Sequence, residues 1–236
     1  MTSFSLPADY RRIRRVCSFE ELVAARFADG VNALCWEREV PDGFAEVARH
    51  FAGRCGINTL EEEELAALPL SAGGRVAVEF MLADQRRLRE CGVEPVLDYI
   101  DGYLRDATDC PVPTDVFSWH ADSANTEADT WLCTYLGSPS EGLRDDEAVR
   151  RVDVTETRVA LLALHGGRDD EAFREHLNEH CFDLHYVPVP GARPFSFGVG
   201  NLWRIATEHP GCPVPPCIHR APETPPGAPP RLLLIG

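Results

Sequence analysis

Apolar positions recur every three or four residues through Phe19–Ala28 and Gly43–Phe51, the spacing of one face of an amphipathic helix. Asn58-Thr59-Leu60-Glu61-Glu62 opens a third, short helix, with a polar cap followed by glutamates in the first turn. The longest helical stretch runs from about Gly73 to Tyr103. It carries Val76, Val78, Met81, Leu82 and Leu88, then Val96, Leu97, Ile100 and Tyr103, on apolar faces, and Gly92 divides it into two helices. From Val116 the texture changes. Thr130–Leu136 is rich in β-formers and stops at the turn Gly137-Ser138-Pro139. Arg151–Thr155, Arg158–Leu164, Leu184–Val189, Phe195–Val199, Leu202–Ala206, Cys217–Arg220 and Arg231–Ile235 continue the series as strands. The last two are joined by the proline-rich loop Pro222–Pro230. One helix, Asp169–Cys181, interrupts the β half. There is no internal repeat. The pattern predicts an α+β protein: a helical N-terminal half, residues 1–112, packed on a sandwich or jelly-roll barrel formed by residues 113–236.

A chain of 236 residues, 44% hydrophobic and 26% charged, has the composition of an ordinary globular protein with a full core. The net charge of −15 argues against a nucleic-acid surface, which needs a basic patch to displace counterions. All 23 basic residues are arginine, which reads as coding bias. The first residues, Met1-Thr2-Ser3-Phe4-Ser5-Leu6-Pro7, lack the charged-then-apolar pattern of a secretory signal, and no apolar run reaches membrane length. Nine cysteines without framework spacing favour reduced thiols in a cytoplasm. Cys212 and Cys217 flank a proline-rich bend whose spacing is not that of a zinc knuckle.

Two short segments a hundred residues apart carry the candidate chemistry. In Ser118-Trp119-His120-Ala121-Asp122 the histidine and aspartate stand at i and i+2, so an extended chain points both to one face. With His219 of Ile218-His219-Arg220 they make two imidazoles and one carboxylate, the facial triad that holds non-haem Fe(II) with open positions. Arg231, twelve residues after His219, opens the terminal strand. It is suited to grip a carboxylate in bidentate fashion, which suggests 2-oxoglutarate. The plain alternatives are an aspartate orienting a surface histidine and a histidine satisfied at a strand end. A second group, His176 and His180 four apart with Cys181 and His185 beyond, could chelate zinc. No glutamate follows the first histidine, so the metalloprotease pattern is absent. The ordinary reading is a connecting helix with Phe173 and Leu177 inward.

His120-Ala121-Asp122, Thr134-Tyr135-Leu136-Gly137, His219-Arg220 and Arg231-Leu232 together resemble a bacterial family, the domain of unknown function 1826. Gly30-Val31-Asn32-Ala33-Leu34-Cys35-Trp36-Glu37-Arg38 resembles its opening segment. The order His-x-Asp, His, Arg is also similar to that of Fe(II)/2-oxoglutarate dioxygenases on a double-stranded β-helix, a cupin-like barrel. The resemblance implies His120, Asp122 and His219 on iron, and Arg231 on the distal carboxylate of 2-oxoglutarate. Leu233 stands where many such enzymes carry a serine or threonine, so a second co-substrate contact must come from elsewhere, with Tyr135 and Thr134 the candidates. Ser138-Pro139-Ser140-Glu141 also departs from the family's glycine before a threonine.

These residues imply a small-molecule oxygenase. Bound 2-oxoglutarate would be decarboxylated with O₂ to succinate and CO₂, and the primary substrate hydroxylated by default, with desaturation or ring formation as variants. Asp122 argues against halogenation, because a halide needs the position the carboxylate takes. Trp119, Trp131, Trp203 and Arg220 are candidates for the substrate wall. The acidic chain favours a neutral or cationic small molecule. Two rival readings use the same triad: a non-catalytic metal-handling or metal-sensing barrel, and zinc-assisted hydrolysis.

Overall fold

Eight elements alternate before residue 102 because short β-branched and aromatic segments separate the amphipathic ones. The computed structural model describes residues 4–103, 105, 110–225 and 227–236. The leading residues Met1-Thr2-Ser3 and Pro226 of the proline-rich loop lie outside them. In chain order come β1 (Ile13–Val16), α1 (Phe19–Ala24), β2 (Ala33–Trp36), α2 (Phe44–Arg49), β3 (Gly56–Thr59), α3 (Glu62–Ala66), α4 (Ala72–Glu90) and β4 (Val96–Asp101). Then follow β5 (Trp119–His120), β6 (Asp129–Leu136), β7 (Glu141–Gly142), β8 (Ala148–Arg150), α5 (Thr155–His165) and α6 (Glu171–Glu179). The chain closes with β9 (His185–Pro188), β10 (Phe195–Ser196), β11 (Leu202–Ala206), β12 (His219–Arg220) and β13 (Arg231–Ile235).

The architecture is mixed α/β with two sheets. The larger runs β1-β2-β11-β6-β13-β4-β3 and the smaller β10-β7-β12-β5-β9-β8. The expected helical N-terminal half is not what forms, since that half supplies four strands to the larger sheet. Val96–Asp101, expected as a second helix after Gly92, is β4. Its Leu97 and Tyr99 point to the helix-side core, a period of two rather than 3.6. Asn58 and Thr59 end a strand, and the helix begins only at Glu62. Conversely, Arg158–Leu164 is helical. Its Ala and Leu content favours α5, which ends at Gly166 in the left-handed region (φ 69°). Arg151–Asp153 is a 3₁₀ turn after β8.

The helix-side core joins Leu22, Val47, Phe51, Leu65, Met81 and Leu88 to Leu34, Tyr99, Trp131, Tyr135 and Leu232 of the larger sheet. A buried ion pair pins α4 there. Arg38 donates to both oxygens of Asp84, and the Tyr135 hydroxyl donates to the same carboxylate at 2.7 Å. The opposite face carries Leu132, Trp203 and Ile205, which meet Phe195, Phe197 and Cys217 from the segments of the smaller sheet. The core between the sheets is therefore apolar at this point.

Four antiparallel pairs tie the sheets into one path: β4 with β13, β5 with β12, β6 with β11 and β7 with β10. Successive pairs fall alternately in the larger and the smaller sheet. Among the described residues, no helix is long and apolar enough to cross a membrane.

Candidate metal centre

Asp115 starts the site. Its Oδ1 accepts the backbone N–H groups of Phe117 and Ser118, each at 3.1 Å, a local turn that launches β5. β12 lies antiparallel to β5 with His219 directly opposite His120, so two rings on one face of the pair come within 4.6 Å, centroid to centroid. Asp122, two residues beyond His120, returns to that face. Its carboxylate accepts the Thr130 hydroxyl of β6, and its backbone carbonyl accepts the Glu208 N–H at 2.8 Å. The two histidines come from neighbouring strands of one sheet, and Asp122, just past β5, is steadied by a strand of the other.

The imidazole tautomers follow from their partners. His120 Nδ1 lies 2.7 Å from the Ser118 carbonyl and His219 Nδ1 3.2 Å from the Cys217 carbonyl. A carbonyl only accepts, so each Nδ1 carries the proton and donates it. Each Nε2 is left with a lone pair. These Nε2 atoms face Asp122, at 3.8 Å for His120 and 3.6 Å for His219. Burial, then the neighbouring His219, pushes His120 down to about 4 and keeps it neutral at pH 7. Burial alone would raise the Asp122 carboxyl. His219, the Thr130 hydroxyl and His120 outweigh that and hold it below the ordinary carboxylate value.

This donor set fits a divalent metal. All three ligand atoms lie within 4.8 Å of one another, and no other group of three His, Cys, Asp or Glu among the described residues does. Ligands about 2.1 Å from one ion at right angles stand about 3 Å apart, so the triad needs to close by up to about 2 Å. The backbone carbonyls behind both rings are the outer partners that fix metal-binding histidines. His185, on β9 opposite His120, adds a buried ring whose Nδ1 is 3.2 Å from the Ser118 hydroxyl. A metal here would be held by His120 Nε2, His219 Nε2 and a carboxylate oxygen of Asp122.

Arg231 is not beside His219 on an adjacent strand, as expected from the loop. β12 belongs to the smaller sheet and β13 to the larger, between β6 and β4. Five prolines in residues 222–230 remove donors and fix φ, so the connection crosses between sheets instead of closing a hairpin. Arg231 nonetheless projects from the face that carries Thr130 and Thr134. It is 3% exposed and donates to the hydroxyls of Tyr103, Thr134 (3.2 Å) and Ser140 (3.1 Å). Its Nε has no partner, and no carboxylate among the described residues pairs with it. Thr130, which touches Asp122, and Thr134, which touches Arg231, are about 14 Å apart along one face of β6.

The other candidates divide by strand alternation. Thr134 faces Arg231, whereas Tyr135 turns to the helix side, stacked on Phe44 and bonded to Asp84, so it contacts nothing at the site. Trp119 and Arg220 each adjoin a histidine in sequence and therefore point to the opposite face. There Arg220 lies over Trp119 and pairs with Glu141 at 2.8 Å. Trp131 packs on the helix side between Arg204 and Phe19. Trp203 is closest, fully buried and stacked on Phe197, which in turn stacks on His219. None of the four is an open substrate wall. Sequence reasoning missed Thr130, Ser140 and Tyr103, and grouped His185 with His176 and His180. The isolated polar residues of the strand Thr130–Leu136 were the one available signal.

The second histidine group follows the ordinary reading of a connecting helix, with Phe173 and Leu177 buried. His185 joins the triad's sheet, while His176 and His180 sit on α6 with rings 4.3 Å apart, and His180 Nδ1 donates to the His176 carbonyl. Comparisons of the chain with family models, with curated proteins and with solved structures find no match.

Proposed function

We propose that the protein is a non-haem Fe(II)/2-oxoglutarate-dependent oxygenase that oxidises, by default hydroxylates, a small molecule. One observation carries this reading. An open His-Asp-His set, with both imidazoles held in the metal-binding tautomer, shares the inter-sheet face with a buried guanidinium that lacks an anionic partner. A zinc hydrolase or a metal carrier needs the first feature and has no use for the second. Burying an unpaired charge is costly, so a site that keeps one is suited to an anion from outside.

Strand order supports a double-stranded β-helix. Numbering β4, β5, β6, β7, β10, β11, β12 and β13 as one to eight, the antiparallel pairs are one with eight, two with seven, three with six and four with five. That is a long hairpin whose rungs alternate between two sheets, a two-stranded ribbon wound into a barrel. The order His-x-Asp, His, Arg, similar to that of Fe(II)/2-oxoglutarate dioxygenases, agrees with it.

The residues have distinct tasks. His120, Asp122 and His219 would hold the iron. When bound, iron would supply O₂ activation, with 2-oxoglutarate going to succinate and CO₂ and one oxygen atom entering the substrate. Arg231 grips the distal carboxylate of 2-oxoglutarate. Thr134, Ser140 and Tyr103 each accept from the guanidinium through oxygen and keep a hydroxyl proton to donate to the same carboxylate. Thr130 orients Asp122 and leaves one carboxylate oxygen for the metal. Apolar Leu132 and Phe197 keep water from the interval.

The test is consumption of 2-oxoglutarate by the Fe(II)-loaded protein in air, followed as succinate. Slow turnover without primary substrate is expected, abolished by chelation or by Asp122→Ala. Metal-loaded protein that releases no succinate and binds no 2-oxoglutarate would favour the metal-handling reading.

A further inference from the structure

Asp98 is a buried carboxylate that the reading above leaves without a task. Leu97 and Tyr99 point to the helices, so Asp98 and Ile100 point to the inter-sheet face. In register, Asp98 lies opposite Leu233 and Ile100 opposite Arg231. Asp98 is thus a diagonal neighbour of Arg231, about 7–8 Å away on the same face. Strand direction tells which side of Arg231 it occupies. Ile235 pairs with Leu132 and Leu233 with Thr134, so β13 runs from Arg231 toward the Thr130 end, where Asp122 is held. β4 is antiparallel to it, so Asp98 flanks the line from Arg231 to the triad.

The partners of Asp98 are few. The Thr59 hydroxyl donates to Oδ1 at 2.7 Å, and no basic side chain among the described residues pairs with the carboxylate. It is 7% exposed, and its charge bears on the Tyr103 phenol that Arg231 grips. A buried anion and a buried cation therefore share one face of the larger sheet without pairing with each other. Each is left for a ligand group of opposite sign.

We infer that Asp98 anchors the ammonium group of an amine-bearing primary substrate beside the bound co-substrate. This rests on the dioxygenase reading for the place of 2-oxoglutarate on Arg231. A protonated amine supplies the opposite charge that no side chain among the described residues brings to this carboxylate. The net charge of −15 favours the approach of such a cation. Asp98 acts by binding, and takes no proton in the oxidation.

Ligand-observed NMR on the metal-free full chain tests this with butan-1-amine and butan-1-ol as probes. Wild type should bind the ammonium about tenfold more tightly than the alcohol, the scale of one charge-assisted contact. Asp98→Asn keeps the shape and the Thr59 bond, and should remove that preference without changing alcohol binding. Thr59→Val keeps the charge and should preserve it. An equal preference in wild type and Asp98→Asn, which would reflect the acidic surface at large, or no preference in wild type, overturns the inference. Binding of 2-oxoglutarate is measured on the same proteins after anaerobic loading with Fe(II). Its absence in wild type defeats the dioxygenase reading, whereas intact 2-oxoglutarate binding with no ammonium preference defeats only the role of Asp98.

Discussion

Arg231 is surrounded by hydroxyls and apolar side chains, and burial lowers its pKa although the Tyr103 contact opposes this. On the dioxygenase reading, Arg231→Ala removes the bidentate contact to 2-oxoglutarate and weakens its binding by about 2–5 kcal/mol, the scale for truncating a buried charge pair. Iron affinity should be unchanged, because Arg231 is no ligand; parallel titrations of metal and co-substrate check both. Asp98 gives a prediction at the same scale. Burial raises its pKa above the ordinary 3.8, against the Thr59 bond. The folded state thus disfavours the ionised form, so its contribution to stability falls as pH rises above the unfolded value and levels off above the folded one. Asp98→Asn should gain stability relative to wild type across that window, read from urea unfolding at several pH values. An advantage that grows toward acid would contradict the assignment. The histidine and aspartate of the triad were legible because i, i+2 spacing in an extended chain fixes a shared face. Thr130, Ser140 and Tyr103 were not, since their role depends on which strand lies opposite. Trp119 and Arg220 misled for a related reason: adjacency to a ligand in a strand means the opposite face.

At the scale of elements, the hydrophobic pattern located Thr130–Leu136, Leu202–Ala206 and Arg231–Ile235 because each alternates between two buried faces. It failed at Val96–Asp101, where six residues beside a long helix satisfy either period, and at Arg158–Leu164, where a nearly continuous apolar run hides its own periodicity. The attachment of α4 was illegible, because Arg38, Asp84 and Tyr135 are far apart in sequence. Removing one member of that buried pair strands the other. Arg38→Met should cost about 3–5 kcal/mol of stability, and Arg38→Met combined with Asp84→Leu much less than the sum of the two single changes. Denaturant unfolding of the three variants tests this. α6 gives the opposite expectation. Its apolar stripe, Phe173 and Leu177, is buried, and the rings of His176 and His180 stand outside it. Changing both histidines to alanine should leave metal stoichiometry, measured by elemental analysis, unchanged. Loss of one equivalent would reveal a second site.

For the whole molecule, the ribbon of paired strands explains how His120 and His219, a hundred residues apart, meet. Rungs β5–β12 and β6–β11 bring His120, His219 and Thr130 together, and the rung β4–β13 sets Arg231 and Asp98 farther along the same interior. The sequence pattern could not supply these pairings, which join strands as distant as Val96 and Ile235. The central claim is that one interior holds both a metal and a dicarboxylate co-substrate. Its most direct test is an anaerobic titration of the Fe(II)-loaded protein with 2-oxoglutarate, followed by visible metal-to-ligand charge-transfer absorption. The account expects a band that saturates at one equivalent, disappears in Asp122→Ala, and in Arg231→Ala needs much more 2-oxoglutarate to develop. No band in iron-loaded wild type, or a band with the same apparent affinity in Arg231→Ala, would contradict it.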